Sequence, residues 1–139
     1  MSSSALAVLG FAGWTFALLG CIAVLRSSLT LSGQRAANQF AVSGDDVSPF
    51  SGRLCRAHAN CYESLPVFAA ILLVAITSGH THVTDPLALW ALAARVGQST
   101  THLVSTSNLA VQVRFGFFLA QFLIQAWWVL ALLRAAFTT

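Results

Sequence analysis

The sequence predicts an all-α fold, an integral membrane bundle of four helices, and three observations predict it. Of the 139 residues, 57% are hydrophobic and only 8% are charged, whereas about 25% of the residues in a typical soluble domain carry charge. The mean hydropathy is +0.76. Apolar runs recur along the chain at lengths near the roughly 20 residues that cross a bilayer core. We therefore expect a single membrane domain over residues 1–139, and an ordinary soluble enzyme is excluded.

The first span is predicted over residues 5–25. No charged residue occurs before Arg26, and a signal peptide would carry a basic region at its start. We therefore interpret this run as an uncleaved membrane span. Residues 27–52 contain glycines, a proline and the pair Asp45-Asp46, so we expect a polar connection with that pair in a solvated turn.

The second span is predicted over residues 53–77. Its plainly apolar part is too short to cross a bilayer alone, so the helix must begin near Arg53 and contain Pro66. Four polar residues of this helix are spaced 3, 4 and 3 apart, which places them on one helical face. They are Arg53, Arg56, Asn60 and Glu63. His58 lies off this stripe.

The third span is predicted over residues 86–108, with Pro86 at the first helical position, and the fourth over residues 115–134. Three polar residues of the third span share a face at spacings of 3 and 4. They are Arg95, Gln98 and His102. We expect Glu63 and Arg95 to form a buried ion pair between spans two and three, either as a structural pin or as part of a ligand site.

Arginine placement predicts the orientation. The first connection and its flanks are rich in arginine, the second connection has none, and the third ends at Arg114. The positive-inside rule then places connections one and three in the cytoplasm and both termini on the non-cytoplasmic side. We expect the inner membrane of a bacterium.

The charges also indicate the kind of partner. The net charge of +3 includes no lysine, and several arginines sit within or beside apolar runs rather than on a wet basic face, so no nucleic acid is expected. The two polar faces predict a cationic pocket inside the membrane near its cytoplasmic side. Guanidinium groups hold carboxylates in forked pairs, Asn60 can bond to an amide, and Glu63 can receive an ammonium group. Glutathione has all of these groups. No metal site is predicted, because His80 and His82 are only two ligands.

Residues 53–66 read RLCRAHANCYESLP. This run resembles, without gaps, the second-helix signature of the MAPEG family, the membrane-associated proteins in eicosanoid and glutathione metabolism, which reads approximately R-x-x-R-A-x-x-N-x-x-E-x-x-P. The length and the four-span hydropathy fit the family as well. The resemblance therefore covers nearly the whole chain, and we expect a bacterial-type member.

The resemblance implies a homotrimer of four-helix protomers in the bilayer, with glutathione bound between neighbouring protomers on the cytoplasmic side. Characterised members are glutathione transferases, glutathione-dependent peroxidases, or leukotriene- and prostaglandin-forming synthases. By position, five residues of this chain look like contacts of glutathione: Arg56, His58, Asn60, Glu63 and Arg95. The polar stripes add Arg53 and Gln98 to the expected glutathione-binding residues.

The sequence departs from the eicosanoid synthases of the family. Where those enzymes carry tyrosines on the third helix, Gln98 and His102 stand here, and an eicosanoid product is not supported. Arg114 is the candidate for a further arginine near the thiol. We expect Arg114, helped by His102, to stabilise the glutathione thiolate, which attacks a lipophilic electrophile. The expected function is that of a glutathione S-transferase or glutathione-dependent peroxidase. The alternative is a non-catalytic membrane protein that retains the fold.

Overall fold

The structure is a computed structural model, and it describes residues 1–138. Within that range the chain forms four α-helices in sequence order. They are α1 (Ser3–Leu31), α2 (Pro49–Thr77), α3 (Thr81–Val104) and α4 (Asn108–Thr138). By length and composition, α1, α2 and α4 are long and apolar enough to cross a membrane. The prediction of an all-α fold is confirmed, and each predicted span corresponds to one helix. However, α3 is not among the three helices that are able to cross a membrane by length and composition.

Local signals at its ends explain the bounds of α1. The hydroxyl of Ser2 accepts a hydrogen bond from the N–H of Ala5 at 3.1 Å and caps the N-terminus. The helix continues to Leu31, six residues beyond the predicted span, before Gly33 ends it with a φ of +76°. Glycine is favoured there because, lacking a Cβ atom, it adopts the left-handed conformation without a steric penalty.

The start of α2 lies four residues before Arg53. Ser48 caps it by accepting a hydrogen bond from the N–H of Ser51 at 3.1 Å, and Pro49 occupies the first turn, where its missing N–H costs nothing. Pro66 lies inside the helix, as predicted.

The predicted start of the third span at Pro86 is wrong, because α3 begins at Thr81 and Pro86 lies inside it. The first turns of α3 are stabilised by contacts with the start of α1 that the sequence does not reveal. The Asp85 carboxylate accepts hydrogen bonds from Ser4 N–H at 2.7 Å and Ser4 Oγ at 2.6 Å. The hydroxyls of Ser4 and Thr84 are also 2.6 Å apart. The lost backbone hydrogen bond at Pro86 is thus offset by a link between two helices.

Helix packing leaves one side of the bundle open. α1 packs on α2 and α3, α2 packs on α3, and α3 packs on α4, whereas α2 and α4 make little contact. Phe68 of α2 is buried at the centre of the core. Its ring lies 5.1 Å from that of Phe11 on α1 and 6.0 Å from that of Trp128 on α4, both edge-on. The cavities described below lie along the open side between α2 and α4, with α3 behind them.

Close approach of α3 and α4 depends on Gly97. A Cβ atom at this position would lie 2.8 Å from Cζ of Phe117, whereas a Cβ at Gly116 of α4 would meet no atom within 4 Å. Small residues allow such approaches between membrane helices. We expect Gly97→Ala to lower the melting temperature in detergent, since overpacking costs about 1–3 kcal/mol. Gly116→Ala is the matched control and should leave it unchanged or raise it, because alanine is the better helix former. Equal shifts in the two variants would contradict this account of the α3–α4 contact.

Candidate functional site

A polar cavity of ≈ 500 Å³ lies where α2 begins, α3 ends and α4 begins. We call it the cationic cavity. The polar side chains that line it and carry the argument are Asp45, Arg53, Arg56, Asn60, His102 and Arg114. Five of these six were singled out from the sequence, and they come from three different helices.

α2 contributes one face to the cationic cavity. Arg53, Arg56 and Asn60 follow one another at helical spacing and all line it, as residues 3 and 4 apart on a helix do. Nε of Arg53 also donates a hydrogen bond to the carbonyl oxygen of Leu103 at 2.9 Å. Because Leu103 lies in the last turn of α3, this bond satisfies a carbonyl that has no partner within its own helix and joins the two helix ends beside the cavity.

His102 and Arg114 meet directly across α3 and α4. Nη1 of Arg114 lies 2.7 Å from Nδ1 and 2.8 Å from Nε2 of His102. A guanidinium only donates hydrogen bonds, so the nitrogen that accepts from it is unprotonated. His102 is 9% exposed, and Nε of Arg114 is buried with no partner within residues 1–138. This contact holds the guanidinium of Arg114 at the cavity wall.

The charges of the cavity are largely uncompensated by the protein. Arg35 and Asp46 form the one ion pair within residues 1–138. Among these residues, the guanidinium groups of Arg53, Arg56 and Arg114 therefore have no carboxylate within 4 Å. Three such groups around one cavity favour an anionic ligand, and each can bind a carboxylate through two parallel hydrogen bonds.

Gln98 adjoins this cavity rather than lining it. A smaller cavity of ≈ 240 Å³ is bounded by Gln98 together with Asn60, His102 and Arg114. Oε1 of Gln98 accepts a hydrogen bond from Nε2 of Gln121 on α4 at 2.9 Å. The amide is thus held between α3 and α4, one turn from His102.

The predicted ion pair between Glu63 and Arg95 is wrong, because it is absent from the described residues. Arg95 is 3% exposed and extends toward α1, where its guanidinium carbon lies 5.2 Å from the ring centroid of Phe11, within cation–π range. Its Nη1 donates to the carbonyl oxygen of Asn60 at 3.5 Å. Glu63 is exposed. The charge of Arg95 is thus stabilised by an aromatic face and a backbone carbonyl.

Glu63 and Arg95 instead line a second, mainly apolar cavity of ≈ 590 Å³ between α2 and α4. Phe118 and Phe122 supply aromatic surface there, and Gln121 is among its few polar groups. Within a single chain, the structure therefore separates these two predicted glutathione contacts from the cationic cavity.

His58 is the predicted contact that the structure does not bring to any of these cavities. Its ring centroid lies 5.2 Å from that of Tyr62, the next aromatic residue on the same side of α2. This position agrees with its spacing, which places it off the stripe formed by Arg53, Arg56 and Asn60.

Asp45 is the residue of the cavity that the sequence interpretation missed. The adjacent acidic residues were expected in a solvated turn, but Asp46 binds Arg35 while Asp45 lines the cationic cavity. Two adjacent acids in a glycine-containing connection do not reveal this division. It depends on how the connection packs on α2.

Comparison with known proteins gives a family. The model of the MAPEG family matches residues 4–134, a range that includes most of every helix. No curated protein and no solved structure gave a significant match. Three of the helices are able to span a bilayer by length and composition. The chain therefore belongs to the MAPEG family and is an integral membrane protein.

Proposed function

We propose that this protein binds glutathione in the cationic cavity and acts as a glutathione S-transferase on lipophilic electrophiles. The main support for this proposal is that Arg53, Arg56 and Arg114 line one cavity and that none of them pairs with a carboxylate of residues 1–138. Glutathione offers two carboxylates, one ammonium group, two amides and a thiol. Arginine side chains suit the carboxylates, and the amide of Asn60 offers a donor and an acceptor to the peptide groups.

The proposal includes a homotrimer. Glu63 is exposed on α2, one turn beyond Asn60, and lines the open side between α2 and α4. A neighbouring copy seated there would bring further side chains to the ligand and allow Glu63 and Arg95 to join the site. Lipids and a lipophilic second substrate are the other partners we propose.

Glutathione, once bound, supplies a thiol whose thiolate form is the nucleophile. The free thiol has a pKa near 8.5, and an adjacent cation lowers a thiol pKa by favouring the charged form. Arg114 can provide that cation, because His102 holds its guanidinium at the cavity wall. The apolar cavity between α2 and α4 lies near Arg114, and its apolar lining suits a lipophilic electrophile.

We further propose that the cationic cavity faces the cytoplasm. Five of the seven arginines lie at this end of the bundle, in or beside the two connections that meet there: Arg26, Arg35, Arg53, Arg56 and Arg114. The opposite connection, residues 78–80, has none. By the positive-inside rule, both termini are then non-cytoplasmic, and the bacterial inner membrane is the proposed location.

Thermal unfolding in mild detergent, with and without millimolar glutathione, tests the binding site. Ligand binding to the folded state stabilises it by about 2.7 kcal/mol at a hundredfold excess over Kd, so we expect a higher melting temperature. The double variant Arg56→Ala, Glu63→Ala should lose this shift, and both side chains are exposed, so the fold should persist. Arg134→Ala, which removes a guanidinium near the far end of α4, is the matched control and should keep it.

Two outcomes would contradict the proposal. An equal shift in the double variant would place glutathione elsewhere on the protein. No shift in a well-folded wild type would favour the non-catalytic alternative.

A further inference from the structure

The first connection, residues 32–48, is folded rather than loosely solvated. Nη2 of Arg35 donates to the carbonyl oxygen of Asp46 at 2.6 Å, and its Nη1 binds the Asp46 carboxylate. That carboxylate also accepts from the N–H of Ala41 at 3.2 Å. The Ala41 N–H, together with Arg35, lowers the pKa of Asp46. Asp46 is thus engaged within the connection itself.

Two glycines allow the neighbouring residue, Asp45, to reach the cationic cavity. Gly44 is buried with a φ of +74°, and a Cβ atom there would lie 2.7 Å from Sγ of Cys55. Gly52 is buried on α2, and a Cβ atom there would overlap the Asp45 carboxylate, lying 3.1 Å from its Cγ. Because neither glycine has a side chain, the connection can approach α2 closely enough for Asp45 to line the cavity.

The Asp45 side chain is exposed, and its carboxylate has no partner among the described residues. Its side chain makes no hydrogen bond within residues 1–138 and lies more than 4 Å from every guanidinium nitrogen there. The cavity thus presents three cations and one free anion. A purely anionic ligand is repelled by Asp45, whereas a ligand that also carries an ammonium group gains from it.

We propose that Asp45 recognises the ammonium group of the bound ligand and makes the site selective for zwitterionic thiol peptides over purely anionic ones of the same shape. This inference rests on the proposed function. It assigns to Asp45 the role that the sequence suggests for Glu63, which lies in the neighbouring apolar cavity.

Calorimetric titration with two ligands tests the assignment. The probes are glutathione and its desamino analogue, in which hydrogen replaces the ammonium group. We expect wild type to bind glutathione about tenfold more tightly than the analogue, a factor that corresponds to ~1.4 kcal/mol and is typical of a hydrogen bond to a charged group. Asp45→Asn should reduce this ratio to about one, mainly by weakening glutathione binding.

Two variants serve as controls. Asp85→Asn should keep the tenfold ratio, since Asp85 lies at the opposite end of the bundle, where its carboxylate binds Ser4. Gly52→Val should abolish the ratio although Asp45 is still present, because the new side chain displaces the carboxylate. Loss of the ratio in Asp85→Asn, or an unchanged ratio in Asp45→Asn, would overturn the inference while leaving glutathione binding intact. No binding of either ligand by wild type would overturn the proposed function itself.

Discussion

Replacing Arg114 with alanine should nearly abolish conjugation while glutathione binding stays close to wild type. The guanidinium is held against His102 at the wall of the cationic cavity, where it can favour the thiolate over the thiol. Loss of one such electrostatic donor in an active site costs about 10²–10³ in kcat. The bound thiol should then titrate near its free pKa of about 8.5, so the remaining activity should rise as the pH approaches that value.

The measurement is the rate of conjugation of a chromogenic aryl halide, paired with calorimetric binding of glutathione. Arg134→Ala is the control for removal of a guanidinium outside the cavity. Normal conjugation by Arg114→Ala would show that this role is wrongly assigned. A large loss of glutathione affinity would instead make Arg114 a binding residue.

Replacing Phe68 with alanine should be among the most destabilising substitutions in the chain. Phe68 is 2% exposed and packs edge-on against Phe11 of α1 and Trp128 of α4. Buried Phe→Ala changes cost about 3–5 kcal/mol, because the cavity that remains collapses only in part. Packing carries particular weight between membrane helices, since lipid is as apolar as the side chains themselves.

Unfolding of the variant in mixed detergent micelles measures this loss. The matched control is Val67→Ala, the adjacent residue, which is 59% exposed and should change the free energy of unfolding little. Similar losses in the two variants would contradict the central position assigned to Phe68.

The parts of the site that lie on one helix can be predicted from the sequence. The spacing of Arg53, Arg56 and Asn60 places them on one face because helical geometry alone decides it, and the structure brings all three to one cavity. The family resemblance rests on the same run, and the match over residues 4–134 confirms the family.

Features that depend on two elements could not be predicted in this way. The sequence predicted correctly that Glu63 lies on α2 and Arg95 on α3. The direction in which the Arg95 side chain extends depends on its contact with Phe11 of α1, which the sequence does not reveal. Pro86 looked like a helix start because the sequence does not reveal the hydrogen bonds between Asp85 and Ser4. These bonds join residues that are distant in sequence, and they stabilise the turns of α3 around Pro86.

The structure of the connection before α2 could not be predicted from the sequence either. The position of Asp45 depends on the close packing of Gly44 and Gly52, which composition alone does not distinguish from an ordinary turn.

A crystal structure of the protein with bound glutathione tests the central claim most directly. We expect the tripeptide in the cationic cavity, with its carboxylates on arginines of α2 and its sulfur within hydrogen-bonding distance of the Arg114 guanidinium. Glutathione bound away from these arginines, for example wholly within the apolar cavity between α2 and α4, would contradict the proposed binding site.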